Sequence, residues 1–350
     1  MKYFLSICFI NLLFFSDVAA SEIGGTNDLY MALALQGDLR AARAWFQTDD
    51  AGGSPAQREL SSRFRQRFLD RSEPLSPVSG NALVDDIVSI FRAYWIDALL
   101  GEQVGADAIG VLEAALVKSL AEQGWPRADT TTLQDVHALL GTAVASEGFF
   151  ALSVPAPPLQ DLLLWRENER RRFTVELTDQ EREVEVVLLT GFVSEGWKHY
   201  ASLGLVRTTG WVENGVLYCV ASAYDLDTEP FEVSFLKHES RHLADYEQFP
   251  GLSAVDLEYR AKLTELAFAS ESVGNLLDDF TEKAAPNPAS PHASANERVV
   301  RDLYEALYGR PFPGGKEAWM SLDARKINRA SRSLLERDSR AHAAARDIVR

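Results

Sequence analysis

Apolar residues recur at three- and four-residue spacing through most of positions 26 to 150. The stretches NDLYMALALQGDLRAARAWF, SPAQRELSSRFRQRFL, ALVDDIVSIFRAYWIDALL, GADAIGVLEAALVKSLAEQ and TTLQDVHALLGTAVA all show it. That period gathers the apolar side chains on one face of a helix. Clusters such as AGGSP and EPLSPVSG break the pattern between helices, so residues 21–152 read as a helical region. SVPAPPLQ, residues 153–160, reads as a connector. Beyond it the period shortens. RRFTVELT and REVEVVLLTGFV alternate or run β-branched, and TGWVENGVLYCVASAYD sets Asn214-Gly215 between two apolar runs, the signal of a two-residue hairpin turn. Helical spacing returns in FLKHESRHLADYEQFP and in SAVDLEYRAKLTELAFASESV. EKAAPNPASPHASA reads as a loop. NERVVRDLYEALYG and SLDARKINRASRSLLERDSRAHAAA read as closing helices, the last with a basic, solvated face. The expected fold is α+β and mainly helical. It has a helical N-terminal region, a small antiparallel-rich sheet and helix pair within 160–285, and a C-terminal helical region over 286–350.

Composition changes this picture little. A chain of 350 residues with 46% hydrophobic and 25% charged side chains can bury a large core. Its net charge of -16 argues against a nucleic-acid partner, because phosphates are repelled without a concentrated basic patch. The first twenty residues, MKYFLSICFINLLFFSDVAA, stand apart. Lys2 precedes an apolar run from Tyr3 to Phe15, and Val18 and Ala20 suit the -3 and -1 positions of a cleavage site. The run is short for a bilayer span, so residues 1–20 are expected to be a removable secretory signal. The mature chain is then exported, periplasmic or secreted, without stable membrane insertion. Of the two cysteines, Cys8 leaves with the signal. Cys219 sits in an apolar strand-like run and reads as a buried small hydrophobe.

The candidate chemistry lies in Phe235 to Pro250, which carries His238, Glu239 and His242 as H-E-x-x-H. On a helix the two histidines fall one turn apart on the same side, the geometry for gripping one ion. Glu239 falls on the adjoining apolar arc, where a carboxylate is costly without a partner. Neutral imidazoles bind Zn2+, an open coordination position holds water, and a neighbouring carboxylate can take that water's proton. A third protein ligand is required. In the following helix Glu258, Lys262 and Glu265 share a face, and Pro250-Gly251 can reverse the chain between the two helices. In an antiparallel pair Glu258 comes level with His242, while Glu265 lies about 10 Å further along. Glu258 is therefore the expected ligand, with Glu265 as its substitute or as a residue backing a ligand. Asp245 shares the histidine face and could accept a hydrogen bond from a ligand imidazole. His292, Tyr224 and His199 are candidate donors to an oxyanion.

These residues resemble the zincin metallopeptidases of the gluzincin branch, which carry H-E-x-x-H on one helix and a glutamate ligand on the next. The resemblance covers about Phe235 to Leu266, under a tenth of the chain. It implies zinc held by His238, His242 and Glu258, Glu239 as general base, a β-sheet before the metal helix, and a peptide or protein substrate. The metzincin pattern does not fit, since Asp245 and Gln248 stand where its glycine and third histidine belong. Thermolysin-like gluzincins place an Asp where this chain has Lys262, so whatever supports the ligands must be built differently. Two other readings use the same residues: an exported, non-catalytic helical scaffold whose metal site is structural or vestigial, and a zinc amidase acting on a non-protein amide.

Overall fold

The computed structural model describes residues 26–48, 54–75, 77, 79–102, 105–125, 133–286, 290–320 and 323–348. The expected signal segment lies outside these residues. The fold is mainly helical α+β, with small, mostly antiparallel sheets. The chain forms two compact units. One holds the described residues up to Asn168 together with Leu189–Thr209. The other holds Glu169–Leu188 and the described residues from Gly210 onward.

In the first unit, helices α1 (Thr26–Gln36), α2 (Arg40–Thr48), α3 (Pro55–Phe64), α4 (Ala82–Leu99), α5 (Gly105–Glu122) and α6 (Leu133–Ser146) follow one another. Their starts are written locally. Ser54 caps α3 in a reciprocal box with Gln57, with Pro55 in its first turn, and Asn81 caps α4. The apolar stripe of α4, including Val84, Ile87, Val88, Phe91 and Trp95, packs with Tyr30, Phe46, Phe64 and Leu116 in one core. Strands β1 (Phe150–Ala156) and β2 (Leu159–Trp165) pair antiparallel from Phe150↔Trp165 to Ala156↔Leu159. Residues 153–160, expected to be a connector, are thus the tip of a hairpin. The proline-rich sequence sits at its turn, and Leu159 and Leu162 are buried.

The chain next makes β3 (Glu167–Glu176) and β4 (Glu181–Thr190). It then returns to the first unit for β5 (Ser194–Glu195), which pairs with β2, and for α7 (Gly196–Ala201). The second unit continues with β6 (Gly210–Glu213) and β7 (Val216–Val220), completing a sheet of order β3-β4-β7-β6. The expected hairpin joins β6 and β7: Asn214 and Gly215 both have positive φ, 51° and 81°, as the tight turn requires. Pro230–Lys237 is a π-helical segment running into α8 (His238–Gln248). Helices α9 (Ala254–Phe268), α10 (Val273–Glu282), α11 (Pro291–Tyr308) and α12 (Ala324–Ile348) complete it.

Two apolar clusters in this unit flank the α8–α9 pair. Val184, Val186, Leu188, Leu217 and Cys219 of the sheet pack with Phe231, Phe235, Leu236 and Leu243. Tyr259, Leu263 and Leu266 of α9 pack with Leu277, Phe280, Val299, Leu303, Trp319, Ile327 and Leu334. Each helix thus gives an apolar side to a different core, and their polar sides are left to meet.

Candidate metal centre

Helix α9 is buried from Glu258 through Ala267, although that stretch carries two glutamates, an arginine and a lysine. A charge so placed must find a partner. Lys262 sets its ammonium 4.4 Å over the Phe280 ring, and Arg260 pairs with acids. The two glutamates turn to the histidines of α8. Pro250-Gly251 reverses the chain as expected, and Ser253 starts α9 with a capping box to Asp256.

His238 and His242 point their Nε2 atoms at each other, 3.1 Å apart. Two imidazole acceptors cannot face one another at that distance without a cation or a proton between them. Glu258 closes the group: Oε2 is 3.6 Å from His238 Nε2 and Oε1 is 3.4 Å from His242 Nε2. A tetrahedron with zinc-like bonds of about 2.05 Å has edges of about 3.3 Å; the imidazole–imidazole separation and the distance from each imidazole to its nearer carboxylate oxygen are close to that length, and one donor atom from each residue lies within 4.8 Å of the other two. His238, His242 and Glu258, all buried, therefore form a group that could hold a metal ion. Glu265 does not join it. Its Oε1 lies 2.7 Å from His238 Nδ1, on the far side of the ring, where it orients the imidazole so that Nε2 faces the group.

The electrostatics follow from burial and these contacts. Burial opposes charge on His238, but the carboxylates of Glu265 and Glu258 outweigh it and lift the imidazole to about 10. Burial likewise opposes charge on Glu258, yet the imidazoles of His292, His242 and His238 hold it well below the usual carboxylate range. Glu239 is fully buried, and neither of its oxygens has a hydrogen-bond partner among the described residues. Burial raises its pKa, partly countered by His238 and His242.

The other candidates separate. His292 lies in the first turn of α11, not in the expected loop, with Nδ1 2.9 Å from Glu258 Oε2 and a fifth of its side chain exposed. It is the most accessible member of the neighbourhood. Tyr224 packs its ring against Phe231 and Phe235. His199 belongs to the first unit, where it faces Glu195 at 3.6 Å. Among the described residues Asp245 accepts no imidazole hydrogen bond; both its oxygens accept from Arg260, at 2.8 and 2.9 Å. The acid–base pairs around Arg260 were not legible in the sequence, although the four-residue spacing of Arg241 and Asp245 hinted at one of them. No family model, curated protein or solved structure matches this chain. No helix among the described residues is long and apolar enough to cross a membrane.

Proposed function

We propose that this chain is an exported zinc-dependent hydrolase, a peptidase of gluzincin kind. The observation that carries the reading is the convergence of His238, His242 and Glu258: the two Nε2 atoms are 3.1 Å apart, and each lies 3.6 or 3.4 Å from its nearer Glu258 oxygen. Two imidazoles and one carboxylate suit zinc better than calcium or magnesium, which take oxygen ligands. Three protein donors leave a fourth position for substrate or water, whereas structural zinc sites use four. Bound zinc would supply Lewis acidity and bring the pKa of water towards neutrality.

The remaining chemistry belongs to the chain. Glu239 is unpartnered, buried and next to His238, and its raised pKa suits a group that takes a proton from attacking water and passes it to a leaving amine. Glu265 orients His238. His292, at the accessible edge of the group, is the candidate donor to the developing oxyanion. The N-terminal apolar run of the sequence supports export. One observation favours a closed, purely structural site instead: the side chains of His238, His242 and Glu258 are 0%, 1% and 7% exposed.

Glu239→Gln decides between these. Purified wild-type protein is expected to carry about one zinc per chain and to hydrolyse casein-type or peptidoglycan substrates; the substrate cleaved separates peptidase from amidase. The variant should keep its zinc and lose turnover. A zinc-loaded E239Q enzyme with undiminished turnover would remove Glu239 as general base, and a wild type with zinc but no hydrolysis of any amide would favour the structural site.

A further inference from the structure

Side chains of alternating charge run through the second unit as one chain. Arg241 Nη1 donates to Asp179, in the turn between β3 and β4, at 2.8 Å, and Arg241 Nη2 lies 2.6 Å from Asp245. Arg260 donates twice to Asp245, from Nε at 2.8 Å and from Nη2 at 2.9 Å. The third arm of the Arg260 guanidinium, Nη1, donates to Asp338 of α12 at 2.9 Å. Arg298 of α11 then donates to Asp338 and to Asp256 of α9, both at 2.8 Å. Arg241, Asp245 and Arg260 are fully buried.

Stability alone does not explain such an arrangement. Removing charges from water is costly, and well-packed apolar residues of similar volume commonly serve as well or better. What a planar guanidinium gripping a carboxylate through two parallel hydrogen bonds adds is geometry, since it fixes both translation and rotation. The placement of this grip is informative. Asp245 is three residues after His242, and Arg260 is two residues after Glu258. The fork therefore spans the same two helices as the donor group, about one turn away from it. A slip of α9 by one residue would move Glu258 by about 1.5 Å, whereas a site of this kind must hold its geometry within about 0.5 Å.

We infer that the Asp245–Arg260 fork is the register pin of the two ligand-bearing helices, and that Asp338 holds the remaining edge of Arg260, so that the C-terminal helix sets the metal affinity of a site to which it supplies none of the three donors. This rests on the reading of His238, His242 and Glu258 as metal ligands. Arg260, Asp245 and Asp338 act as positioning residues, through the backbone of α8 and α9.

The test measures the zinc dissociation constant of full-length protein against a chromogenic chelator, with near-UV circular dichroism confirming the fold. Arg260→Lys keeps the charge and loses the fork. It should weaken zinc binding by 10-fold or more, in the range seen when the supports of metal ligands are removed. Asp338→Asn should weaken it several-fold. The paired substitution D245L/R260M removes the two charges of the fork together and leaves Arg241 its Asp179 partner and Asp338 its Arg298 partner, which guards against a merely unfolded variant. It should fold with a thermal midpoint near that of the wild type and still bind zinc at least 10-fold more weakly. Folded variants that bind zinc within twofold of the wild type would make the chain a structural element only and overturn this inference alone. A wild type that binds no zinc would overturn the metal site itself and this inference with it.

Discussion

Replacing Glu265 tests how the donor group is oriented, because this residue reaches His238 from behind. Its Oε1 sits 2.7 Å from Nδ1, and both side chains are nearly or fully buried. Glu265→Gln keeps the shape, and its amide oxygen can still accept from Nδ1–H, so the ring stays oriented and only the charge is lost. A charge-assisted hydrogen bond is roughly twice as strong as a neutral one, and loss of a residue supporting a metal ligand costs about 10- to 100-fold in affinity. At about 1.4 kcal/mol per tenfold, E265Q should weaken zinc by about 1.4 kcal/mol, the low end of that range. Glu265→Ala also leaves a buried N–H without an acceptor, adding about 1–3 kcal/mol of destabilisation. Its zinc affinity should fall towards the 100-fold end. Glu258→Ala removes a donor outright and should cost more affinity than either. The assay is competition with a chromophoric chelator, run on all variants at one pH. If E265A lost more zinc affinity than E258A, the roles of the two glutamates would be reversed. If E265Q bound zinc as tightly as the wild type, the support argument would fail.

Gly210 tests how closely the sheet is packed under the π-helical segment that leads into α8. A Cβ there would lie 2.5 Å from the Tyr218 carbonyl oxygen and 2.5 Å from Phe235 Cε2. Gly210→Ala should destabilise by about 1–3 kcal/mol in urea unfolding; a change under about 0.5 kcal/mol would contradict that packing. Glu229 gives a pH prediction. Burial works against its charge, but the hydroxyls of Ser270 and Ser272 and the backbone N–H groups of residues 270–272 bring its pKa down to about 2. A depressed folded pKa means that its contribution is complete above the ordinary value of 4.5 and is lost as pH falls through about 2. Glu229→Gln should therefore lower the melting temperature at pH 7, with the difference shrinking towards pH 2; a constant difference across that range would refute the assignment.

Much of the fold was written in short-range patterns. The helices of the first unit follow their apolar periods, and Asn214-Gly215 marks the β6–β7 turn because few other residue pairs adopt positive φ twice in succession. His238, Glu239 and His242 were visible because a single helix fixes their spacing, and Glu258 followed from antiparallel geometry. The misreading of residues 153–160 arose where tertiary context decides. PAPP suggested a linker, but prolines also suit the tip of a hairpin flanked by Leu159 and Leu162, which have a core to enter. Phe231, Val233 and Phe235 alternate like a strand, yet they wind into a π-helical turn that buries all three. The partners of Asp245 were illegible for a different reason. Arg260 and Asp338 lie 15 and 93 positions downstream, and no local pattern ties an aspartate to one arginine among many.

Distance along the chain has a consequence during synthesis. Asp338 follows Glu258, the last of the three donors, by 80 positions (338 − 258), about 4 to 16 seconds of translation at 5–20 residues per second. Through that interval the nascent polypeptide already contains every donor of the site while lacking the aspartate that grips the outer arm of Arg260. The donor group thus stays without that outer brace until the last helix has been made.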